Sequence, residues 1–133
     1  MISRRSILLI STGFLAAGTV PALAAAAHDP IKAFDLDSDG TIDLGEVKKA
    51  AAELFARLDP DHDGTLDKRE LAGRLSAREL AAADPDHDGT LTLQEYLAVV
   101  EKRFNAANRD NDGTLDAKEL RTPAGRALLR LLR

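Results

Sequence analysis

Acidic side chains recur at short, regular spacing through most of this chain. Each cluster spans twelve residues, with oxygen-bearing side chains at positions 1, 3, 5 and 12, glycine at position 6 and an apolar residue at position 8. Carboxylates this close together repel one another unless a cation lies between them. Four segments have the pattern: DLDSDGTIDLGE (loop 1, 35–46), DPDHDGTLDKRE (loop 2, 59–70), DPDHDGTLTLQE (loop 3, 84–95) and NRDNDGTLDAKE (loop 4, 108–119).

The pattern matches the EF-hand loop, in which about six to eight oxygen atoms hold a hard cation. Side chains at positions 1, 3, 5 and 9 and the carbonyl at position 7 converge on the ion, and both oxygens of the position-12 glutamate close the site. Glycine at position 6 supplies the positive φ of the sharp turn. The predicted metal ligands are Asp35, Asp37, Asp39, Thr41, Asp43, Glu46, Asp59, Asp61, Asp63, Thr65, Asp67, Glu70, Asp84, Asp86, Asp88, Thr90, Thr92, Glu95, Asn108, Asp110, Asp112, Thr114, Asp116 and Glu119.

This clustering argues against an ordinary solvated acidic surface, on which charges scatter over helix faces. Of the 22 acidic residues, 18 lie within the four loops. His62 and His87 occupy position 4 of loops 2 and 3. Because position 4 normally points away from the ion, we expect both histidines to be exposed loop residues and not ligands of a softer metal.

Residues 1–24 are predicted to be a cleavable signal peptide, because two arginines precede an apolar run and Ala22 and Ala24 fit an A-x-A cleavage site. The run is short and interrupted for a membrane span, which makes a retained anchor the weaker alternative. Residues 25–133 then form one exported, periplasmic domain with four EF-hand loops and no membrane contact after cleavage. The paired arginines fit twin-arginine export as well as general secretion, so the route stays open.

Composition indicates a small core that needs another source of stability. The 133 residues include four Phe, one Tyr, no Trp and no Cys, so disulfides cannot stabilise this exported domain. We therefore expect metal to drive folding, with the metal-free chain loosely packed. The formal net charge of −4 becomes −6 once Arg4 and Arg5 are cleaved off. The sequence has no stripe of basic residues, which argues against nucleic-acid binding. The sequence contains no nucleophile–base set, so it does not predict an enzyme.

The linkers between successive loops have 12, 13 and 12 residues, room for about one helix each. Residues 47–58 and 96–107 have helical apolar spacing, so each is predicted to separate the loops it joins. The linker 71–83 contains Gly73 and a capping box that begins at Ser76, where the chain can turn. The sequence therefore predicts an all-α, compact helical bundle with loops 2 and 3 at one end and loops 1 and 4 at the other. The predicted buried faces are Val47, Ala50, Ala51, Leu54, Phe55 and Leu58 in the first helix and Leu97, Val100, Phe104 and Ala107 in the second.

Helix start signals flank the loops at both ends of this domain. Asp29 followed by Pro30 predicts a short helix before loop 1, and Thr122 followed by Pro123 predicts a final helix after loop 4. The apolar residues of the last segment are expected to pack on the bundle; if they were exposed, they would favour a docking surface. These residues are Leu128, Leu129, Leu131 and Leu132.

As a whole the chain resembles the lanmodulins, periplasmic lanthanide-binding EF-hand proteins of methanol-oxidising bacteria. The resemblance rests on the four close loops, the export signal, Pro60 and Pro85 at loop position 2, and the ending ELRTPAGRALLRLLR. It implies selective binding of lanthanide(III) ions over Ca²⁺, with about three tight sites and one weak site among the four loops. It also implies a metal-driven conformational change and a role in lanthanide uptake or trafficking with a transient protein partner.

Loops 1 and 4 depart from the lanmodulin pattern, since Leu36 and Arg109 occupy position 2. Asn108 at position 1 of loop 4 and Thr92 at position 9 of loop 3 each remove one ligand charge. By charge alone we therefore expect loops 1 and 2 to bind most tightly, loop 3 next, and loop 4 to fill last.

The types of ligand residue alone do not decide which ion the loops bind. Lanthanide ions are close to Ca²⁺ in size but carry a 3+ charge, so they leave less uncompensated repulsion in a five-acid loop. A periplasmic Ca²⁺ buffer or sensor is the alternative, although Met1 is the only methionine and a Met-rich target groove is not expected. A structural module that uses metal only for stability is a third interpretation.

Overall fold

The computed structural model describes residues 29–133, so the predicted signal peptide, 1–24, and its cleavage site lie outside the described residues. The described part is a small, mostly helical domain, and none of its helices is long and apolar enough to cross a membrane. The elements are α1 Pro30–Phe34, β1 Ile42–Asp43, α2 Leu44–Leu58, β2 Thr65–Leu66, α3 Lys68–Leu71, α4 Ala77–Ala83, β3 Leu91–Thr92, α5 Leu93–Ala107, β4 Thr114–Leu115, α6 Ala117–Leu120 and α7 Pro123–Leu129.

Short antiparallel strands join the loops in two pairs. β2 of loop 2 pairs with β3 of loop 3, and β1 of loop 1 pairs with β4 of loop 4. This is the pairing that the linker lengths predict, and we call the two units the 2/3 pair and the 1/4 pair. The apolar residues at loop position 8 are paired across each ladder, Leu66 with Leu91 and Ile42 with Leu115, and all four are fully buried.

Helices α2 and α5 separate the two pairs. Each has 15 residues and so spans about 22 Å at 1.5 Å per residue. Because α2 runs from loop 1 to loop 2 and α5 from loop 3 to loop 4, the two helices run in opposite directions and pack against each other. The 1/4 pair and the 2/3 pair therefore lie at opposite ends of the bundle.

The buried face of α5 differs from the predicted one by one residue. Tyr96 is fully buried and Leu97 only partly, whereas Val100, Phe104 and Ala107 are buried as predicted. The Tyr96 ring packs 5.9 Å from the Phe55 ring of α2, and its hydroxyl donates to the Leu131 carbonyl at 2.6 Å. Burial raises the pKa of Tyr96 to about 12. A ring with one polar end fits this position because the carbonyl satisfies its hydroxyl.

The chain reverses between α3 and α4, as Gly73 and Ser76 predict. Ala72 and Gly73 both have positive φ, 50° and 80°, which ends α3, and Ser76 then caps α4 by accepting the Glu79 N–H at 3.1 Å. The same kind of start signal operates at α1 and α7, where Asp29 and Thr122 are the N-caps.

The C-terminal segment packs into the core, as predicted. Leu128 and Leu131 are fully buried, and Leu129 and Leu132 nearly so. Helix α7 approaches α6 so closely that a Cβ on Gly125 would collide with the Glu119 carbonyl and the Leu120 backbone. Because these leucines are buried, they offer no exposed docking surface.

Candidate metal centres

The first half of each of loops 1–3 winds around its position-1 aspartate. The N–H of the position-6 glycine donates to Asp35 at 2.9 Å, to Asp59 at 3.0 Å and to Asp84 at 2.7 Å. These glycines have φ between 82° and 88°, the left-handed region that the sequence motif predicts. The first carboxylate is thereby fixed at the centre of the turn in these loops.

The position-5 aspartates are oriented by the threonines that follow. In loop 1, Asp39 Oδ1 accepts both the N–H and the hydroxyl of Thr41, at 2.9 and 2.8 Å. Asp63, Asp88 and Asp112 accept the same two bonds in the other loops. This bonding holds position 5 near position 3, whose carboxylate in turn accepts the position-5 N–H in loops 1, 2 and 4.

The second half of every loop is a helix capping box. The position-9 side chain accepts the N–H of the position-12 glutamate, and one oxygen of that glutamate accepts the position-9 N–H. In loop 2 these bonds join Asp67 and Glu70 at 2.9 Å each. The helices therefore begin inside the loops, so α2 starts at Leu44 and α5 at Leu93, three residues before the predicted linkers. Position 9 was predicted only as a ligand, although its D/T-x-x-E spacing is a capping signal.

The two loop pairs differ at the other oxygen of the position-12 glutamate. In the 1/4 pair, the position-2 N–H donates to it: Leu36 to Glu46 Oε1 at 2.6 Å, and Arg109 to Glu119 Oε1 at 2.9 Å. In the 2/3 pair, position 2 is proline, which has no N–H to donate. Sequence reasoning did not identify this bond, although the proline pattern contains its signal.

Three groups of carboxylates are close enough to hold one ion. In each group one oxygen from each of three residues lies within 4.8 Å of the other two. The position-12 glutamate belongs to the groups of the 2/3 pair but not to that of loop 1, and within residues 29–133 the acids of loop 4 form no such group. The groups are Asp35, Asp37 and Asp39; Asp59, Asp61 and Glu70; and Asp84, Asp86 and Glu95.

Two buried position-1 oxygens lack hydrogen-bond partners within the described residues. Asp84 is 3% exposed and its Oδ1 is unpartnered, while its Oδ2 accepts the Gly89 N–H. Asn108 of loop 4 is 7% exposed, and its Oδ1 is also unpartnered. Because a buried polar oxygen without a partner is costly, both atoms fit a cation ligand. The all-oxygen donor set fits a hard cation.

The carboxylates at positions 1 and 3 perturb each other in the 2/3 pair. The neighbouring carboxylate is the largest influence on each residue, lowering the pKa of Asp84 and raising the pKa of Asp86. The nearby Asp59 carboxylate likewise raises the pKa of Asp61. Burial acts to raise the pKa of Asp59, but the neighbouring Asp61 and the hydrogen bonds from the loop N–H groups outweigh it and lower that pKa. The site thus concentrates negative charge that a cation would neutralise.

Most of the remaining predicted positions lie at or near the loop surface, and Glu119 is the exception. Position-7 threonines are partly buried at the start of the strand ladders, and the position-3 and position-5 aspartates are exposed. His62 and His87 are exposed, as predicted, with positive φ of 55° and 58°. Glu119 is mostly buried, with one oxygen bonded to Arg109 and the other to Asp116.

Comparison with known families agrees with this geometry for the first half of the domain. The EF-hand family profile matches residues 30–50 and 51–82, which contain loops 1 and 2 with their flanking helices. This is an EF-hand protein with several acidic loops. A search of curated proteins gives no match to the chain. Loops 3 and 4 lie outside the matched residues, and their strands pair with those of the matched EF hands.

Proposed function

We propose that this EF-hand protein selectively binds trivalent lanthanide ions and that metal binding drives its folding. The observation that carries the metal-binding part is Asp84, a buried carboxylate with no partner for Oδ1 among the described residues, lying beside Asp86 and Glu95. A cation at this point would satisfy the oxygen and relieve the repulsion. EF-hand domains are typically binding domains without catalytic activity.

In each loop we assign the same roles by position. Side chains at positions 1, 3 and 5 would bind through single oxygens, the threonine at position 7 through its carbonyl, and position 12 through both carboxylate oxygens. Position 9 would act beside the ion while it caps the following helix. The hydrogen bonds of the position-5 aspartates support these roles, because they keep the carboxylate and the following carbonyl on one turn of the loop.

Charge supports a trivalent ion over a divalent one. Loops 1 and 2 each contain five acidic residues within twelve positions, and loops 3 and 4 each contain four. A 3+ ion leaves less negative charge uncompensated than a 2+ ion of similar size in the same cluster. The resemblance to lanmodulins supports the same preference, with about three tight sites and one weak site. It also supports lanthanide uptake or trafficking in the periplasm with a transient protein partner.

Binding of Ca²⁺ is the second candidate function, and the EF-hand geometry itself favours it. The ligand types and the glycine turns of all four loops are those of Ca²⁺ loops. A periplasmic Ca²⁺ buffer would not need to prefer trivalent ions over Ca²⁺. The two candidates differ in which ion the loops retain in competition.

Equilibrium dialysis of residues 25–133 against limiting lanthanum(III) in excess Ca²⁺, with bound metal measured by mass spectrometry, separates the two. We expect lanthanum to replace Ca²⁺ and circular dichroism to show helix formation at the same lanthanum concentrations. The matched control replaces all four position-12 glutamates with glutamine and should retain neither ion tightly. If Ca²⁺ alone at micromolar concentration produces the full helical transition and lanthanum displaces none of it, lanthanide selectivity is wrong.

A further inference from the structure

The four loops form a natural comparison at a single backbone donor. Position 2 is Leu36 in loop 1 and Arg109 in loop 4, whose N–H groups both donate to the closing glutamate. Position 2 is Pro60 in loop 2 and Pro85 in loop 3, and proline has no N–H. The presence of the bond follows the presence of the donor in all four loops.

The position of the glutamate follows that bond. Where the N–H is absent, Glu70 and Glu95 place an oxygen within 4.8 Å of oxygens from positions 1 and 3 of their own loops. In loop 1, where the N–H is present, Glu46 lies outside the carboxylate group, which consists of Asp35, Asp37 and Asp39. An N–H bond to an ionised carboxylate is among the stronger hydrogen bonds in proteins, and the 2.6 Å separation from Leu36 is short.

From this pattern we infer that the residue at loop position 2 is a positioning residue that sets the order in which the loops bind metal. A non-proline residue holds the position-12 glutamate by its backbone N–H, so that oxygen must leave the N–H before both carboxylate oxygens can reach an ion. Proline removes this donor, so one glutamate oxygen is free to face the site while the other accepts the position-9 N–H, as it does in every loop. The 2/3 pair should therefore fill before the 1/4 pair. This inference rests on the proposed metal-binding function.

A comparison of loop 1 with loop 2 distinguishes the effect of position 2 from the effect of charge. Both contain five acidic residues, so the number of acids ranks them equally, and the added Lys68 and Arg69 of loop 2 can only shift the balance of charge toward loop 1. The backbone bond favours loop 2 instead, because Glu70 is free of a position-2 donor and Glu46 is not. Loop 3 has one acid fewer than loop 1, yet the unpartnered Oδ1 of buried Asp84 gives it an independent feature that points to a cation.

The structure allows the position-2 residue of loop 1 to be exchanged with little disturbance. The Leu36 side chain is 59% exposed, so little packing is lost on replacement. Asp35, which precedes it, has an extended backbone with φ −74° and ψ 101°, the conformation that a following proline favours. Leu36→Pro should therefore remove the closer donor and retain the loop, leaving only the Asp37 N–H, 3.4 Å from Glu46 Oε1. Leu36→Ala removes the side chain and retains both donors.

Residue-resolved NMR of residues 25–133 during a lanthanum(III) titration tests the inference through the position-6 glycine amides. In the parent, Gly64 and Gly89 should shift before Gly40 and Gly113. Leu36→Pro should raise the lanthanum affinity of loop 1 by about tenfold and bring Gly40 forward, the effect expected for losing one competing bond to a charged group. Leu36→Ala should leave the parent order. Pro60→Ala restores an N–H in loop 2 and should delay Gly64.

A measurement at two equivalents of lanthanum(III), with the 2/3 pair filled and loop 1 still empty, tests this bond directly in the folded chain. The Leu36 amide proton should be shifted downfield and protected from exchange, and Glu46→Gln should reduce both effects.

The outcomes distinguish two kinds of failure. If no loop glycine shifts with lanthanum in the parent, the metal-binding proposal fails and this inference fails with it. If all loops bind but Leu36→Pro and Leu36→Ala give the same order, or Gly40 already shifts first in the parent, only the role of position 2 is overturned.

Discussion

The two ends of the bundle are built from the same twelve-residue loop, yet they hold the closing glutamate differently. Both ends have a two-stranded ladder, buried residues at position 8 and a capping box at positions 9–12. At the 1/4 end the glutamate also accepts a position-2 N–H, and at the 2/3 end it lies near the first two aspartates. The comparison teaches that the number of acids in a loop does not determine where they point.

The largest effect is expected from the ladder that joins each pair. Leu66→Ala removes a fully buried side chain paired with Leu91 and should lower the free energy of unfolding by about 2–5 kcal/mol, measured by denaturant titration with metal bound. It should also make loops 2 and 3 fill independently. Leu115→Ala is the matched change at the other end and should uncouple loops 1 and 4 instead. Equal uncoupling of both pairs by either change would contradict two separate units.

The next largest effect is expected when the position-12 glutamates at one end of the bundle lose their charge. Glu70→Gln with Glu95→Gln should weaken the first phase of lanthanum binding by about 100-fold, because each loop loses a charged bidentate partner. Glu46→Gln with Glu119→Gln should change only the later phase. Calorimetric titration of both double variants measures the two phases. If the second variant weakens the first phase more, the assignment of the early sites to the 2/3 pair is wrong.

Loop 4 offers a smaller, constructive test. Asn108→Asp with Arg109→Pro restores a charged position 1 and removes the donor to Glu119, so the affinity of loop 4 should rise by about tenfold or more. In NMR the Gly113 amide should then shift earlier in the titration. Asn108→Asp alone is the control that separates charge from the backbone bond. An unchanged Gly113 position in the double variant would show that neither property limits loop 4.

The smallest effect is expected in the core between the two ends. Tyr96→Phe removes the hydrogen bond to the Leu131 carbonyl and should lower the free energy of unfolding by about 1 kcal/mol. The order of metal binding should not change, because the ring still packs on Phe55. Thermal melts and the glycine titration measure the two properties separately. A changed order would mean that the core, and not the loops, sets the difference between the ends.

Much of the fold could be predicted from sequence because local signals decide it. The loop glycines, the buried residues at position 8 and the caps at Asp29, Ser76 and Thr122 occur where the sequence predicts them. The linker lengths also predict which loops pair. These features depend on residues that are close in sequence, or on the reach of one helix.

The remainder depends on contacts that spacing does not encode. Tyr96 and Leu97 fit the apolar stripe of α5 about equally well, and the Leu131 carbonyl decides in favour of Tyr96 because it accepts the hydroxyl. The bond from position 2 to position 12 joins residues ten apart and becomes visible only once the loop is closed. Counting acidic residues predicts similar metal affinities for loops 1 and 2, because it treats the position-12 glutamates of all loops as equivalent.

The most direct test of the central claim uses the one tyrosine of the chain as a local reporter. Tyr96 directly follows Glu95 of loop 3, and there is no Trp, so tyrosine-sensitised terbium(III) emission reports mainly on the 2/3 pair. In excess Ca²⁺, emission should rise with the first added terbium and saturate once one ion per loop of the 2/3 pair has bound; Tyr96→Phe should abolish it. Emission that rises only after further terbium is added, or that excess Ca²⁺ suppresses, would contradict early, selective binding of trivalent ions at this end.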